Sequence, residues 1–458
     1  MRQLGVCLVS VALVIGAAPL VWAQADESAA ASTTGDDWPY FLGPTGDSKS
    51  REVGFDFAWP PTGLTVRWTR PLGDSYGIGS VRDGKYYQFD YSKRGVATLY
   101  CLDRESGREL WHFSYDSEYE DLYNYAAGPR TSPVVDDEHV YLYGVEGMLY
   151  CLNGQNGAEV WKHDTTKRYG VIQNFFGVGS TPVLHDHLIL VMIGGSPTED
   201  QQLPPGQLDR VSGNQSGIVA FDKRTGEERY RLSNELASYA GLKVVRRADR
   251  AWAFAFMRGG LVAFDPATGA QDFFFPWRAK ILESVNASTP VVWDDYVLIS
   301  ETYGPGAALL KFRPGGYEEV WSDRRRNRDK ALQTHWNTPI YHDGYLYGCS
   351  GRHTQNAELR CVEAETGKVM WSEPGLSRMS LLYVDGHFIA LDEYGTLRVF
   401  KANPKQFDLV VQWEPTDNTA GVARPLLRYP AWAAPIVSHG LLYVRGKDRL
   451  VCYELPRK

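Results

Sequence analysis

Polar and apolar positions along this chain alternate with a period of two through many short runs, and turn residues cut the runs at close intervals. In "LYCLDRESGRELW", residues 99–111, one alternating segment meets an acidic turn opener at Asp103 and a glycine at Gly107. A second segment then ends on Trp111. Period-two patterning broken by an acidic residue and a left-handed glycine predicts a β-hairpin. The frame returns in "LYCLNGQNGAEVW" (149–161), "IVAFDKRTGEERY" (218–230), "LVAFDPATGAQDF" (261–273) and "LRCVEAETGKVMW" (359–371). A decayed copy, "LLKFRPGGYEEVW" (309–321), a copy with an insertion (397–413) and a short copy, "LVCYEL" (450–455), bring the number to eight.

A second hairpin precedes each copy, with turn residues Asp83, Asp137, Asp186, Asp249, Asp294, Asp343, Asp385 and His439 in register. Each unit therefore holds four short strands. The last unit lacks a fourth strand after "LVCYEL", while "LTVRWTRPL" (64–72) is a strand without a unit. Joining the two predicts an all-β, eight-bladed β-propeller of four-stranded blades, the ring closed by an N-terminal strand so that no blade is left incomplete. The propeller domain then runs over 64–458, behind an extension at 26–63.

Residues 1–25 stand apart: Arg2, an apolar run from Leu4 to Trp22, then small residues at Ala23 and Ala25. This predicts a signal peptide and a periplasmic or secreted protein with no stable membrane insertion after cleavage. The rival reading is a retained anchor. The formal charge of −7 argues against a nucleic-acid partner. The one basic cluster, "DRRRNRDK" (323–330), is interleaved with acids and reads as a solvated loop.

The small-small-Pro-Val-Val start, the Asp-Gly hairpin and the L-Y-A-L-D-x-x-T-G-x-x-x-W frame resemble the pyrroloquinoline-quinone-like (PQQ-like) β-propeller family over nearly all of the mature chain. "DDWPYFLGPTGD" (36–47) is similar to the N-terminal segment of secreted bacterial members, with Leu42 where that pattern has arginine. The resemblance implies a propeller fold and leaves three functions open: a binding or assembly module, a quinone-dependent alcohol or sugar dehydrogenase, or a scaffold for outer-membrane barrel assembly. The dehydrogenases of the family carry adjacent cysteines, a Glu/Asn/Asp calcium site and a catalytic aspartate. This chain has no adjacent cysteines and no evident calcium motif. The expectation is a binding or assembly module with no catalytic residue, no metal site and no cofactor, with PQQ and calcium as the alternative. Its partner would be a protein or a small anionic ligand.

Trp68, Trp111, Trp161, Trp321, Trp371 and Trp413 recur at the family's docking position between blades. Cys101, Cys151, Cys361 and Cys452 fill one place of the repeated strand and read as small buried apolar residues, and Cys349 lies where it could pair with Cys361 across a hairpin. Aligning the units places Tyr76, Arg130, Gly179, Leu242, Ala287, Trp336, Arg378 and Trp432 just before the innermost strands, circling the axis at one height. Tyr76, Arg130, Trp336, Arg378 and Trp432 form an unbroken arc of aromatics and guanidinium groups, opposite a wall of smaller residues. His335 and Asn286, one position earlier, join them if the register differs. This arc is the candidate ligand site, suited to stacking and to anion recognition.

Overall fold

The computed structural model describes residues 35–458 except 93–94, 121–126, 173–175, 283, 327–328 and 418–422, so the expected signal peptide lies outside the described residues. Eight four-stranded antiparallel sheets follow one another along the chain. Blades 1 to 7 occupy residues 80–116, 134–164, 183–232, 243–276, 291–322, 340–374 and 379–413. Blade 8 takes three strands from 436–454, and its outermost strand is Thr65–Pro71, paired antiparallel from Thr65↔Glu454 to Pro71↔Arg449. The eight-bladed ring closed by an N-terminal strand is what the repeats predict.

Local chemistry accounts for the strands. The turn residues Asp83, Asp186, Asp294, Asp343, Asp385 and His439 have φ between 40° and 53°, the left-handed backbone that two-residue hairpins need and that aspartate tolerates. Middle strands such as Leu188–Met192 are buried at every position, because both their faces pack on neighbouring blades. Outer strands such as Glu109–Asp116 alternate between exposed and half-buried.

The recurring tryptophans join the blades. Trp161 Nε1 donates to the Lys223 carbonyl (3.1 Å) in the next blade, Trp321 to Ala364 (2.9 Å), Trp371 to Asn403 (2.9 Å), and Trp68 of the closing strand to Arg104 (2.9 Å). The indoles of Trp161 and Trp321 also lie over the turn glycines Gly226 and Gly367, where a Cβ would meet the ring at 2.8 and 2.9 Å. Blade 8 has no such turn, since its third and fourth strands are not consecutive in the chain. Gly63 (φ +82°), just ahead of the closing strand, takes the place of the turn glycine beneath Trp413.

The five described cysteines are all buried and free. Cys349 faces Leu359 and Cys361 faces Tyr347 in the strand register, so the two thiols lie diagonally and do not form the disulfide considered above. The basic cluster is more structural than a solvated loop: Asp323 is fully buried and accepts from the amides of Ala307 and Ala331, while Arg326 donates to the Gly367 carbonyl of the next blade.

The extension ahead of the ring runs under the face that carries the hairpin tips. Trp38 bridges to Val81 of blade 1, the Pro39 carbonyl accepts from Val135 of blade 2, and Lys49 bridges to Tyr383 of blade 7. Buried Glu52 accepts from the amides of His439 and Gly440 at the blade 8 tip, and Asp385 accepts from Gly54 and Phe55. The segment thus ties the lower ends of the innermost strands together.

Candidate functional site

Antiparallel order brings two kinds of backbone to the upper face: residues that lead into each first strand, and residues that leave each second strand. Tyr76, Arg130, Gly179, Ala287, Trp336, Arg378 and Trp432 belong to the first kind, and all line one cavity of about 590 Å³. Trp336 of blade 6 and Trp432 of blade 8 lie with ring centroids 4.9 Å apart, and Tyr76 of blade 1 lies 5.0 Å from Trp432. Side chains of non-adjacent blades meet only beside the axis, so the cavity is axial. Phe41, Leu42 and Ser48 of the N-terminal segment also line it and form its floor, making it a cup open at the upper face.

His335 lines the cup as well. Leu242 does not, and Tyr239 from the same connection does, its hydroxyl accepting from the Phe176 amide (2.9 Å). Asn286 is buried outside the lining, and its carboxamide nitrogen donates to the Met257 carbonyl (2.7 Å). It shapes the connection beneath the cup wall.

The carboxylate that Arg378 grips is internal. Glu393, fully buried, receives Arg378 Nε at 3.1 Å on each oxygen and Nη2 on Oε2, together with Thr354 Oγ1 (2.7 Å) and Trp432 Nε1 (3.3 Å). Burial pushes the Glu393 carboxyl up, and these donors outweigh it and hold the group below its ordinary range. The guanidinium is thereby pinned over Trp336, 4.5 Å from its ring centroid.

His335 lies between arginines. Burial, then the charges of Arg378 and Arg352, hold its pKa down to about 3, so the ring is neutral. Its Nδ1 lies 3.4 Å from Arg378 Nη1 and its Nε2 3.2 Å from Tyr303 Oη. A guanidinium only donates, so Nδ1 accepts, and the ring proton sits on Nε2 and is donated to Tyr303. Tyr303 in turn carries Arg352, whose guanidinium lies 4.4 Å from the ring centroid. Among the described residues Arg352 makes no ion pair and no side-chain hydrogen bond. Arg130 donates to the Gly128 carbonyl (2.7 Å) and lies near the rings of Tyr76 and Tyr119.

Tyr303, Arg352 and Glu393 were not singled out by the sequence pattern. They are of the second kind, in "ETYGP", "GCSGRH" and "LDEYGT" just after second strands, and applying the hairpin alignment to those exits as well as to the strand starts would have found them. Next to Tyr303, Phe176, Tyr239 and Val285 form an apolar wall backed by Ile172, Val211 and Leu282. Val211 comes from the long insertion at 194–217, which here supports the cavity from behind. None of the described lining residues is an aspartate or glutamate.

A ring of eight four-stranded blades, closed by an N-terminal strand over an axial cup, defines a PQQ-like β-propeller. Within that class the chain belongs to the family described as outer membrane protein assembly factor BamB, whose sequence model matches residues 61–195 and 95–373. No curated protein matches the chain. Among solved structures it is similar to BamB from Moraxella catarrhalis, with TM-score 0.57 and 14% identity over 86% of this chain and 98% of that one. It is also similar to the quinohemoprotein alcohol dehydrogenase from Comamonas testosteroni, with TM-score 0.61 and 13% identity over 92% and 81%. A third is the quinohemoprotein alcohol dehydrogenase ADHIIG from Pseudomonas putida HK5, with TM-score 0.55 and 12% identity over 86% and 76%. At these identities the likeness is one of fold.

Proposed function

We propose that this protein is an exported binding module whose axial cup takes a small anionic ligand. The observation that carries the proposal is the charge of the cup wall. Arg378 is neutralised by Glu393, and no carboxylate balances Arg352 among the described residues. The described lining residues offer aromatic faces for a planar or apolar body and no acidic group to repel an anion.

Two other roles are held by relatives of this fold. For quinone-dependent oxidation, the arginines and indoles suit a planar polyacid, but the donor set does not suit calcium. The ion prefers carboxylate and carbonyl oxygens, the described lining residues include no Asp or Glu, and the nearby Glu393 is committed to Arg378. We derive no redox step on these residues. An assembly scaffold needs a contact surface and no cup, and the likeness to BamB over 98% of that chain's length supports it as the second reading.

Calorimetry tests the proposal. PQQ with and without calcium, inorganic phosphate and a set of organic carboxylates are titrated into the protein and into Arg352→Gln. Binding of at least one anion that weakens tenfold or more in the variant supports the cup as a binding site. Equal affinity in two folded proteins, or no binding at all, removes it. Dye reduction with alcohols after loading PQQ and calcium would transfer the assignment to an oxidoreductase.

A further inference from the structure

Resting on the anion-binding reading, we infer that the ligand is an amphipathic monocarboxylate, an aryl or short acyl acid, with its carboxylate against Arg352 and its apolar body on Phe41 and Leu42. Two gradients of polarity carry this. The first runs down the axis. Arg352, Arg378 and His335 stand at the level of the upper loops, while the floor is Phe41, Leu42 and Ile78, with the hydroxyls of Ser48, Thr338 and Ser380 and no charged group among the described residues there. Lys243, on the N-terminal segment's side, gives its ammonium to the carbonyls of Thr45 (2.6 Å) and Gly46 (2.9 Å). The second gradient runs around the cup, from Arg352, His335 and Arg378 through Tyr303, which packs against Val285, to Phe176 and Tyr239.

A ligand charged at both ends would press its second carboxylate toward the floor, where the described lining offers three hydroxyls and no cation to offset the hydration it loses. A neutral analogue would forgo Arg352. His335, a neutral ring whose proton is given to Tyr303, adds no further positive charge to the wall. Of the three guanidinium groups that line the cup, Arg378 is paired with Glu393 and Arg130 donates to the Gly128 carbonyl, which leaves Arg352 to take one carboxylate on an apolar body, and about 590 Å³ holds a bicyclic ring or a medium acyl chain.

Leu42 sets the choice. It is buried at φ +62° where the N-terminal segment turns under the cup, so its side chain faces the lower end of any occupant. The experiment compares 2-naphthoate, octanoate, 2-naphthamide and 2,6-naphthalenedicarboxylate by calorimetry on the parent, Arg352→Gln and Leu42→Arg, with near-ultraviolet circular dichroism to check the fold. The parent is expected to bind the two monocarboxylates at least tenfold tighter than the amide and the dicarboxylate. Arg352→Gln should lose tenfold or more on 2-naphthoate. Leu42→Arg should reverse the order of naphthoate and dicarboxylate, and Leu42→Gln, which also adds polarity at the floor, serves if the arginine variant does not fold. A parent that binds the dicarboxylate or PQQ as tightly as 2-naphthoate overturns this inference and leaves the anion site standing. A parent that binds the amide equally well, or no anion at all, removes both.

Discussion

Gly226→Ala and Trp161→Ala, made separately and together, test whether indole-on-glycine contacts hold the blades in register. Alanine at 226 places its Cβ 2.8 Å from the Trp161 ring, on a backbone with φ +72°. The left-handed conformation costs a non-glycine residue roughly 1–2 kcal/mol, and overpacking against a buried ring adds about 1–3 kcal/mol. Trp161 is 9% exposed and donates to Lys223, so its truncation falls in the range of about 3–5 kcal/mol for large aromatics. Once the indole is gone, alanine at 226 still meets His163 Nε2 at 3.1 Å, and that contact and the backbone cost remain while the clash with the indole is relieved. The double variant should therefore be more stable than the sum of the single changes by about 1–3 kcal/mol. Urea unfolding of the four proteins, followed by far-ultraviolet circular dichroism and fluorescence with coincident transitions, measures the difference. Additivity within about 0.5 kcal/mol would refute direct packing of ring on turn.

Deleting Thr65–Pro71 bares the Arg449–Glu454 edge and should shift the protein to larger associating species on size-exclusion chromatography, whereas an unchanged elution volume and melting temperature would count against closure. Glu393 has its folded pKa depressed, so the stability it confers is present above the ordinary carboxylate range and lost as pH falls through the folded value. Glu393→Gln should remove that acid limb from a plot of melting temperature against pH and cost about 3–5 kcal/mol by leaving Arg378 buried without its charge partner. Glu301 is the opposite case, raised by burial to about 7. The folded state holds its proton between the ordinary glutamate value and about 7 while the unfolded state has lost it, so its contribution to stability falls as pH rises through that window, and Glu301→Gln should flatten the decline. His335, held to about 3, stays neutral from pH 5 to 8, so in a His353→Gln background, which removes the other histidine of the lining, anion affinity should be flat there in calorimetry, and a step near 6.5 would refute the neutral ring.

The repeats made the ring legible because each blade reuses one hairpin chemistry: Asp at the tip, glycine at the second turn, an aromatic at the end. Even the displaced strand at 65–71 was visible, since blade 8 lacks a partner for "LVCYEL" and the stray strand carries its own tryptophan. The level of Tyr76, Arg130, Trp336, Arg378 and Trp432 followed from counting back from the tips, because strand register carries side-chain height with it. What counting misses is which partner a side chain meets. The distance from Arg378 to Glu393 is set by the curvature of the ring and by a loop fifteen residues on, and nothing in the repeat frame announces it. The floor was hidden for a similar reason: "DDWPYFLGPTGD" precedes the repeats and has no periodic neighbour from which its place under the axis could be read.

Arg67 and Glu454, which meet where the ring closes, lie 387 positions apart. During synthesis the first strand must wait, unpaired, until almost the whole ring has been made. The floor shares this delay, because Glu52 is fixed by the amides of His439 and Gly440, which also arrive late. The pocket therefore has no half-made form. Seven blades emerging in order would shape its wall but leave its base undocked, and ligand retention becomes a read-out of finished closure, so that a trapped ligand would report the fraction of molecules whose two ends have met.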